Sequence, residues 1–95
     1  MKGEQQMELR TGMLVESRAG HDKGCLYIIT DVDDRFIYVC DGKIRTTDRP
    51  KRKKAKHLAK KGDVPELIAQ KMKNDQPVIN EDIKRVIKLW RSENV

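Results

Sequence analysis

Apolar residues form three short clusters in the first half of the chain, and each cluster is bounded by Gly or Asp. The clusters are residues 13–17, 25–32 and 36–40. Short stretches rich in Val, Ile, Tyr and Phe between turn-forming residues are typical of β-strands. Asp33-Asp34 and Asp41-Gly42 predict tight turns, because Asp and Gly tolerate turn dihedrals. The pattern predicts three strands and, after the second turn, a fourth strand over residues 43–47.

The turn at Asp33-Asp34 also predicts which side chains share a face of the hairpin. If it sets the register, the opposing pairs are Ile28 with Val39, Ile29 with Tyr38 and Thr30 with Ile37. One face is then aliphatic and suits a barrel interior, and it comprises Leu26, Ile28, Ile37 and Val39. The other is largely aromatic and comprises Tyr27, Ile29, Phe36 and Tyr38. Either C-terminal helices cover this second face or part of it stacks on a ligand.

Two helices are predicted in the last third of the chain. The first begins at Asp63, the expected N-cap before Pro65, and ends near Asn74. The second is capped by Asn80, and its apolar positions recur at helical spacing. This apolar stripe consists of Ile83, Val86, Ile87 and Trp90. The other side is either a solvated face or a weaker basic surface, and it carries Lys84, Arg85, Lys88 and Arg91.

The composition allows one small domain. Of the 95 residues, 37% are hydrophobic and 38% are charged, so the core is small and the surface is highly charged. We expect a mainly β fold with α-helices: a small β-barrel followed by a helical hairpin packed on it. The expected boundaries are a flexible N-terminal arm at 1–10, the barrel with a basic extension at 11–60, and the hairpin at 61–95.

Positive charge is concentrated in one segment. Residues 43–61 hold ten Lys and Arg against the single acid Asp48, within a formal net charge of +6. A field concentrated in this way is typical of a protein that binds a polyanion, and nucleic acid is the expected partner. The stretch 50–61 is expected to be a charged extension of the barrel. A solvated tail or a transport signal is the alternative reading of the run.

Other classes of protein are disfavoured by the sequence. Cys25 and Cys40 lie among apolar residues and follow no hydrophobic leader, so we expect reduced, buried thiols in a cytoplasmic protein. No apolar run is long enough to span a bilayer. His21 and Asp22 beside Cys25 lack the geometry and the orienting group of a catalytic set. Metal-ligand spacings and nucleotide-binding glycine motifs do not occur, so neither an enzyme nor a cofactor is expected.

The segment 12–24, GMLVESRAGHDKG, has the spacing G-x-x-V-x-x-x-x-G-x-x-x-G. Through these positions it resembles the KOW motif of translation and transcription proteins, and the matching residues are Gly12, Val15, Gly20, Lys23 and Gly24. Arg49-Pro50-Lys51 and His57-Leu58 extend the resemblance to a bacterial family of KOW-domain RNA-binding proteins. That family is similar to the fourteen-e type large-subunit ribosomal proteins.

The resemblance covers about residues 10–58. Many KOW sequences have a further glycine near Tyr27, and its absence here favours the branch similar to ribosomal proteins. The resemblance implies an SH3-like barrel of the KOW type that binds RNA on or near the ribosome. Ribosomal RNA is the partner it implies, and a ribosomal protein or translation factor is a possible second partner. The oligomeric state is left open.

Two elements are predicted to bind RNA phosphates: the loop between Gly20 and Gly24, and the basic run 48–61. The predicted RNA-binding residues are Arg18, Gly20, His21, Lys23, Gly24, Lys43, Arg45, Arg49, Lys51, Arg52, Lys53, Lys54 and Lys56. Tyr27, Phe36 and Tyr38 are candidates for base stacking if they are exposed. The two glycines could equally do no more than close a turn.

Two functions follow from these patterns. The first is non-enzymatic RNA binding through the phosphate backbone, on or near the ribosome. The second is a protein-docking module of the transcription or translation machinery that uses the apolar stripe of the last helix. Exposure of Trp90 would favour the second function, and its burial would remove the main argument for it.

Overall fold

Five strands and two helices succeed one another in the computed structural model, which describes residues 9–94. The strands are β1 (Leu14–Ser17), β2 (Leu26–Val32), β3 (Ile37–Cys40), β4 (Lys51–Lys53) and β5 (Leu58–Gly62). The helices are α1 (Glu66–Lys73) and α2 (Asn80–Glu93), and a 3-10 turn at Ala55–His57 joins β4 to β5. The prediction of a mainly β chain with helices is confirmed. The predicted arm at 1–10 lies outside the described residues except for its last two.

The strands form one antiparallel sheet in the order β4-β3-β2-β1-β5. Because β5 returns to pair with β1, the two edge strands follow each other in the sequence. A flat sheet would hold these edges about 19 Å apart, at roughly 4.8 Å for each strand spacing. Only Lys54 and the 3-10 turn bridge them, and such a turn rises about 2 Å per residue. The sheet therefore curls, which brings the end of β4 near the start of β5, and it encloses an inner face.

The curled sheet is open, which differs from the predicted barrel. Within residues 9–94, no strand ladder joins β4 to β5. β4 is three residues long and pairs with β3 alone. The 3-10 turn begins one residue after β4 ends, and β5 follows it directly.

The pairing of β2 with β3 is shifted from the predicted register. The observed pairs are Ile28 with Cys40, Ile29 with Val39, Asp31 with Tyr38 and Val32 with Ile37. The turn is longer than predicted, since the Asp33 N–H donates to the Phe36 carbonyl at 3.0 Å, and a bulge interrupts the pairing at Thr30. Because side chains alternate along a strand, a shift of one residue moves Ile37 and Val39 to the opposite face.

Two apolar clusters occupy the two faces of the sheet. The inner cluster contains Met13, Val15, Tyr27, Ile29, Ile37, Val39 and Leu58. The outer cluster contains Leu14, Leu26, Ile28 and Cys40 from the sheet, with Ile68, Ile83, Val86 and Ile87 from the helices. The helices thus cover the aliphatic side of β2, while Tyr27 and Ile29 point into the curled interior. This is the reverse of the predicted assignment, because the shifted register brings the apolar residues of β3 to the side of Tyr27.

The basic run is part of the sheet. The predicted strand at 43–47 is a bend instead, in which Asp41 Oδ1 accepts the backbone N–H groups of residues 43–45 at 2.9–3.0 Å. A side chain that takes these donors removes them from any strand ladder. The fourth strand is β4, within the run, and β5 follows it. The prediction of a charged extension over 50–61 was therefore wrong.

Neither helix uses the predicted cap. α1 starts after Pro65, and Asp63 pairs with a lysine of β5 at 2.8 Å. The start of α2 is capped by Asp82, whose carboxylate accepts the N–H of the residue before the helix at 2.9 Å. Asn80 instead accepts the N–H of Thr47 at 2.9 Å. This contact ties the first turn of α2 to the segment between β3 and β4.

α2 lies across the outer face of the sheet. Ile83, Val86 and Ile87 are buried there, and Trp90 is half-buried against the same cluster. The apolar stripe of the last helix is therefore covered within the molecule. Neither helix in the described part of the chain has the length and apolar character needed to cross a membrane.

We call residues 41–45 the 41–45 bend. Gly42 allows this bend to lie close to α2, because glycine has no Cβ. Its φ is +82°, and a Cβ at this position would lie 2.6 Å from the carbonyl oxygen of Asn80. We expect Gly42→Ala to lower the free energy of unfolding by about 2–3 kcal/mol, because a clash adds to the cost of the left-handed backbone. Urea denaturation measures this loss.

Gly24→Ala is the control for Gly42→Ala. Gly24 also has a positive φ, +94°, but a Cβ there meets no described atom within 4 Å. Its replacement should cost only the backbone term of about 1–2 kcal/mol. Equal losses in the two variants would contradict the close approach of the 41–45 bend to α2.

Candidate nucleic-acid interface

The glycine loop, residues 18–25, connects β1 to β2. Gly20 and Gly24 have φ values of +85° and +94°, which glycine adopts without strain. The Gly24 N–H donates to the Ser17 carbonyl at 2.8 Å, and the Ser17 N–H donates to the Cys25 carbonyl at 2.9 Å. The two ends of the loop are therefore held together, and the loop projects as one tight turn.

Asp22 lies at the centre of the glycine loop and gathers four donor groups. Its Oδ1 accepts hydrogen bonds from Ser17 Oγ at 2.8 Å and from Lys53 Nζ at 3.0 Å. Its Oδ2 accepts one from Tyr27 Oη at 2.7 Å and lies 3.3 Å from Lys51 Nζ. Through these contacts one carboxylate joins the loop to β2 and to β4.

The Asp22 contacts are largely withdrawn from solvent. Lys53 is 8% exposed, and the Asp22 side chain is 11% exposed. Burial raises the pKa of the Asp22 carboxyl, but the hydrogen bonds that it accepts, first from Tyr27 and then from Lys53, outweigh burial and hold the pKa far below its ordinary value. Burial, together with the bond to Asp22, raises the pKa of the Tyr27 hydroxyl. Asp22 is therefore a fixed anion whose role is to hold the loop in place.

Exposed basic side chains surround the glycine loop. The Arg18 N–H donates to the His57 carbonyl at 2.8 Å, and Lys53 Nζ donates to the Ala19 carbonyl at 3.2 Å. The segment between β4 and β5 therefore lies against the start of the loop. We call the exposed basic set of this region the loop surface, and it consists of Arg18, His21, Lys23, Lys54 and Lys56.

Two predicted RNA contacts are used by the fold itself. The ammonium of Lys53 is bound by Asp22 and a loop carbonyl, so its prediction as a phosphate contact was wrong. Tyr27 is 3% exposed, so its prediction as a stacking residue was also wrong. Side chains alternate along β4, which turns Lys51 and Lys53 toward Asp22 while Arg52 points away. Lys51 is half-buried in its ion pair with Asp22.

Phe36 and Tyr38 are half-buried. The Arg52 guanidinium lies 4.6 Å from the centroid of the Phe36 ring. The Tyr38 hydroxyl donates to Asp33 at 2.7 Å, and this bond raises the pKa of Tyr38 and lowers that of Asp33. Both rings keep part of their surface in solvent, so base stacking by these two residues stays a prediction.

Three further predicted cations belong to neither the glycine loop nor β4. Lys43, Arg45 and Arg49 are exposed in the connection between β3 and β4. Lys43 lines a groove together with Lys88 and Arg91 of α2. Lys43 thus belongs to a second basic region beside α2, which the loop surface does not include.

The two cysteines differ in environment, and both are free thiols. Cys40 is buried, and burial raises the pKa of its thiol. Cys25 ends the glycine loop and is exposed, so the prediction that it is buried was wrong. Within residues 9–94, no group of three His, Cys, Asp or Glu side chains is placed to hold a metal ion.

The role of Asp22 was missed by the sequence reasoning. One signal was available, because Asp22 is the single acid between Ser17 and Thr30 and stands between two loop glycines. Its buried cationic partner, however, is Lys53, 31 residues further along the chain. No local pattern connects the two residues.

No protein-family model matches the chain, and no curated protein matches it.

Proposed function

We propose that this chain is a small, non-enzymatic RNA-binding protein of the cytoplasm that acts on or near the ribosome. One observation carries the proposal: Asp22 fixes the glycine loop against the basic strand β4, and exposed cations surround that ordered loop. An ordered loop with glycines at its ends lets a phosphodiester backbone come close. Cations placed around it in advance bind phosphates without first having to be ordered.

The expected mode of binding is contact with the phosphate backbone. Lys and Arg that neutralise phosphates release condensed counterions, and this contribution does not depend on base identity. The loop surface supplies such contacts, so the protein should bind structured RNA with little preference for sequence. Arg52, Phe36 and Tyr38 lie on the face of β3 and β4 that points away from Asp22, and these side chains could add contacts to unpaired bases.

The choice of RNA and of the fold type rests on the sequence resemblance. Residues 10–58 resemble KOW-domain proteins, and we propose that the curled five-stranded sheet is an open SH3-like barrel of that type. A strand order in which the last strand returns to the first supports this proposal. Ribosomal RNA is the partner that the resemblance favours.

Other functions receive less support. A protein-docking role for α2 relied on its apolar stripe, and three of the four stripe residues are buried on the sheet. Catalysis would need Asp22 or His21 near the Cys25 thiol as an acid–base group. The Asp22 carboxylate is instead occupied by two hydroxyls and two ammonium groups.

Salt-dependent RNA binding tests the proposal. We expect the full chain to bind a structured RNA hairpin with an affinity that falls steeply with salt. Lys54→Ala with Lys56→Ala should weaken binding about tenfold at low salt and flatten the slope of log affinity against log salt by about 1.5. Both side chains are exposed, so the variant should fold normally. Fluorescence anisotropy at several salt concentrations measures both quantities.

The matched control is Lys73→Ala with Arg85→Ala, which removes the same charge from two exposed helix positions outside the loop surface. This variant should keep the wild-type slope. Equal weakening by both variants would indicate attraction to net charge alone and would contradict a defined interface. Absence of RNA binding by the wild-type protein at low salt would reject the proposed function.

A further inference from the structure

A groove separates α2 from the 41–45 bend. Leu26 and Ile87 contribute apolar surface to it, and Ile44 stands at its side with 83% of its surface exposed. Its volume is about 520 Å³, within the range of pockets that take small ligands. The groove is separate from the loop surface in composition, because it combines aliphatic side chains with cations.

The 41–45 bend is held in place. Asp41 Oδ1 accepts three backbone N–H groups of the bend, and the Gly42 N–H donates to the Arg45 carbonyl at 3.1 Å. The hydrogen bond from Thr47 to Asn80 ties the following residues to α2. Ile44 is thus an aliphatic side chain kept in water by an ordered backbone. Binding against it would cost little conformational entropy.

The charge of the groove favours an anion. Lys43, Lys88 and Arg91 line it, and no ion pair within residues 9–94 involves any of the three. Lys84, the fourth cation, pairs with Glu81 at 2.9 Å. Asp41 is the acid in the lining, and one of its oxygens is already occupied by the bend. An occupant must therefore offer negative charge beside a flat or apolar part.

The groove continues from the glycine loop. Cys25, the last residue of the loop, also lines the groove, and the next residue, Leu26, forms part of its apolar wall. A nucleic-acid strand that binds the glycine loop would therefore reach the groove at Cys25.

We infer that this groove receives one unpaired nucleotide of the RNA bound at the loop surface, an inference that rests on the proposed function. The base lies against Ile44 and Ile87, and the planar Arg91 guanidinium is available to stack on it. The flanking phosphates meet Lys43 and Lys88. A nucleotide combines a flat ring with negative charge and fits the volume. An acidic peptide shares the charge, but nothing in its chemistry uses the continuity with the loop.

Two RNA hairpins test the inference: a fully paired stem, and the same stem with one unpaired uridine. We expect the wild-type protein to bind the bulged hairpin about tenfold more tightly, the size of one base-stacking contact. Ile44→Ser should reduce this preference to less than about twofold while leaving affinity for the paired stem unchanged. Leu89→Ser is the matched control, since Leu89 is a 52% exposed aliphatic residue that does not line the groove, and it should keep the full preference.

A photoreactive thiouridine at the unpaired position localises the base directly. Crosslinks mapped by mass spectrometry should fall in the 41–45 bend or in α2. Equal affinity for the two hairpins, or crosslinks confined to residues 18–24, would overturn the groove inference while the proposed function stands. If neither hairpin binds, both proposals fail. If a short acidic peptide containing leucine binds and Ile44→Ser abolishes that binding, while the hairpins bind equally, the groove is a peptide site and the inference is wrong.

Discussion

Replacing Asp22 by alanine is expected to lower the free energy of unfolding by about 3–5 kcal/mol. The change removes the counter-ion of Lys53, whose side chain is 8% exposed, and it also leaves the buried hydroxyl of Tyr27 without its partner. A buried charge without a counter-ion costs far more than the loss of a surface ion pair. Chemical denaturation followed by circular dichroism measures the loss.

Two further variants test whether the unpaired Lys53 ammonium causes the loss of stability in Asp22→Ala. Asp34→Ala removes an exposed acid of the β2–β3 turn, and it should change stability by less than about 0.5 kcal/mol. Adding Lys53→Met to Asp22→Ala removes the stranded ammonium, so the double variant should be more stable than Asp22→Ala alone. If the double variant is less stable than Asp22→Ala, burial of an unpaired Lys53 is not the cause.

Because of the Asp22 carboxylate, the free energy of unfolding depends on pH at acidic values. The pKa of Asp22 is lower in the folded protein than its ordinary value of 3.8, so its contribution is complete above that pH and is lost as the pH falls toward the folded pKa. The difference in stability between wild type and Asp22→Asn should therefore shrink as the pH falls below about 4. A difference that stays constant down to pH 2 would contradict the lowered pKa.

The parts of this fold that the sequence predicts are those that depend on local patterns. Apolar clusters between turn residues gave β1, β2 and β3 within about a residue at each end, and helical spacing gave α2 together with its buried stripe. In each case the spacing of apolar residues within the element itself indicates which side is buried. The presence of β-strands followed by helices was therefore predictable.

The errors arise where distant residues decide the structure. Lys51–Lys53 contains no apolar residue and carries no strand pattern, yet it pairs with β3, and Asp22 satisfies its two inward lysines. No sequence pattern indicates the bulge at Thr30 or the longer turn after it. Together they shift the register, so that the side chains of β3 lie on the opposite faces of the sheet from those predicted. Runs of charged residues are usually solvated. The strand in this run could therefore be predicted only if its distant partners, β3 and Asp22, were already known.

The candidate site shows the same division. The motif predicted a tight turn at Gly20 and Gly24, and both residues have the positive φ that glycine permits. Which lysines face solvent was not predictable, because it depends on the alternation along β4. Once β4 is known, the proposed phosphate contacts shift from Lys51 and Lys53 of β4 to Lys54, Lys56 and the exposed basic residues of the glycine loop.

Ile83→Ala is expected to lower the free energy of unfolding by about 3–4 kcal/mol. Ile83 is 0% exposed and joins α2 to the outer cluster of the sheet, which includes Cys40. The cavity left by the truncation should also loosen α2 locally, and the Cys40 thiol should then react with a maleimide faster than in the wild type. Peptide mapping by mass spectrometry separates this reaction from that of the exposed Cys25.

Leu89→Ala, on the exposed side of the same helix, is the control and should change stability by less than about 0.5 kcal/mol without exposing Cys40. Similar small effects of both variants would mean that α2 is not held on the sheet. The apolar stripe of α2 would then be free for a protein partner, and the docking function set aside above would regain its support. A large loss of stability with Ile83→Ala alone would instead show that the apolar stripe packs within the fold. Only the basic side of α2 and the groove could then bind a ligand.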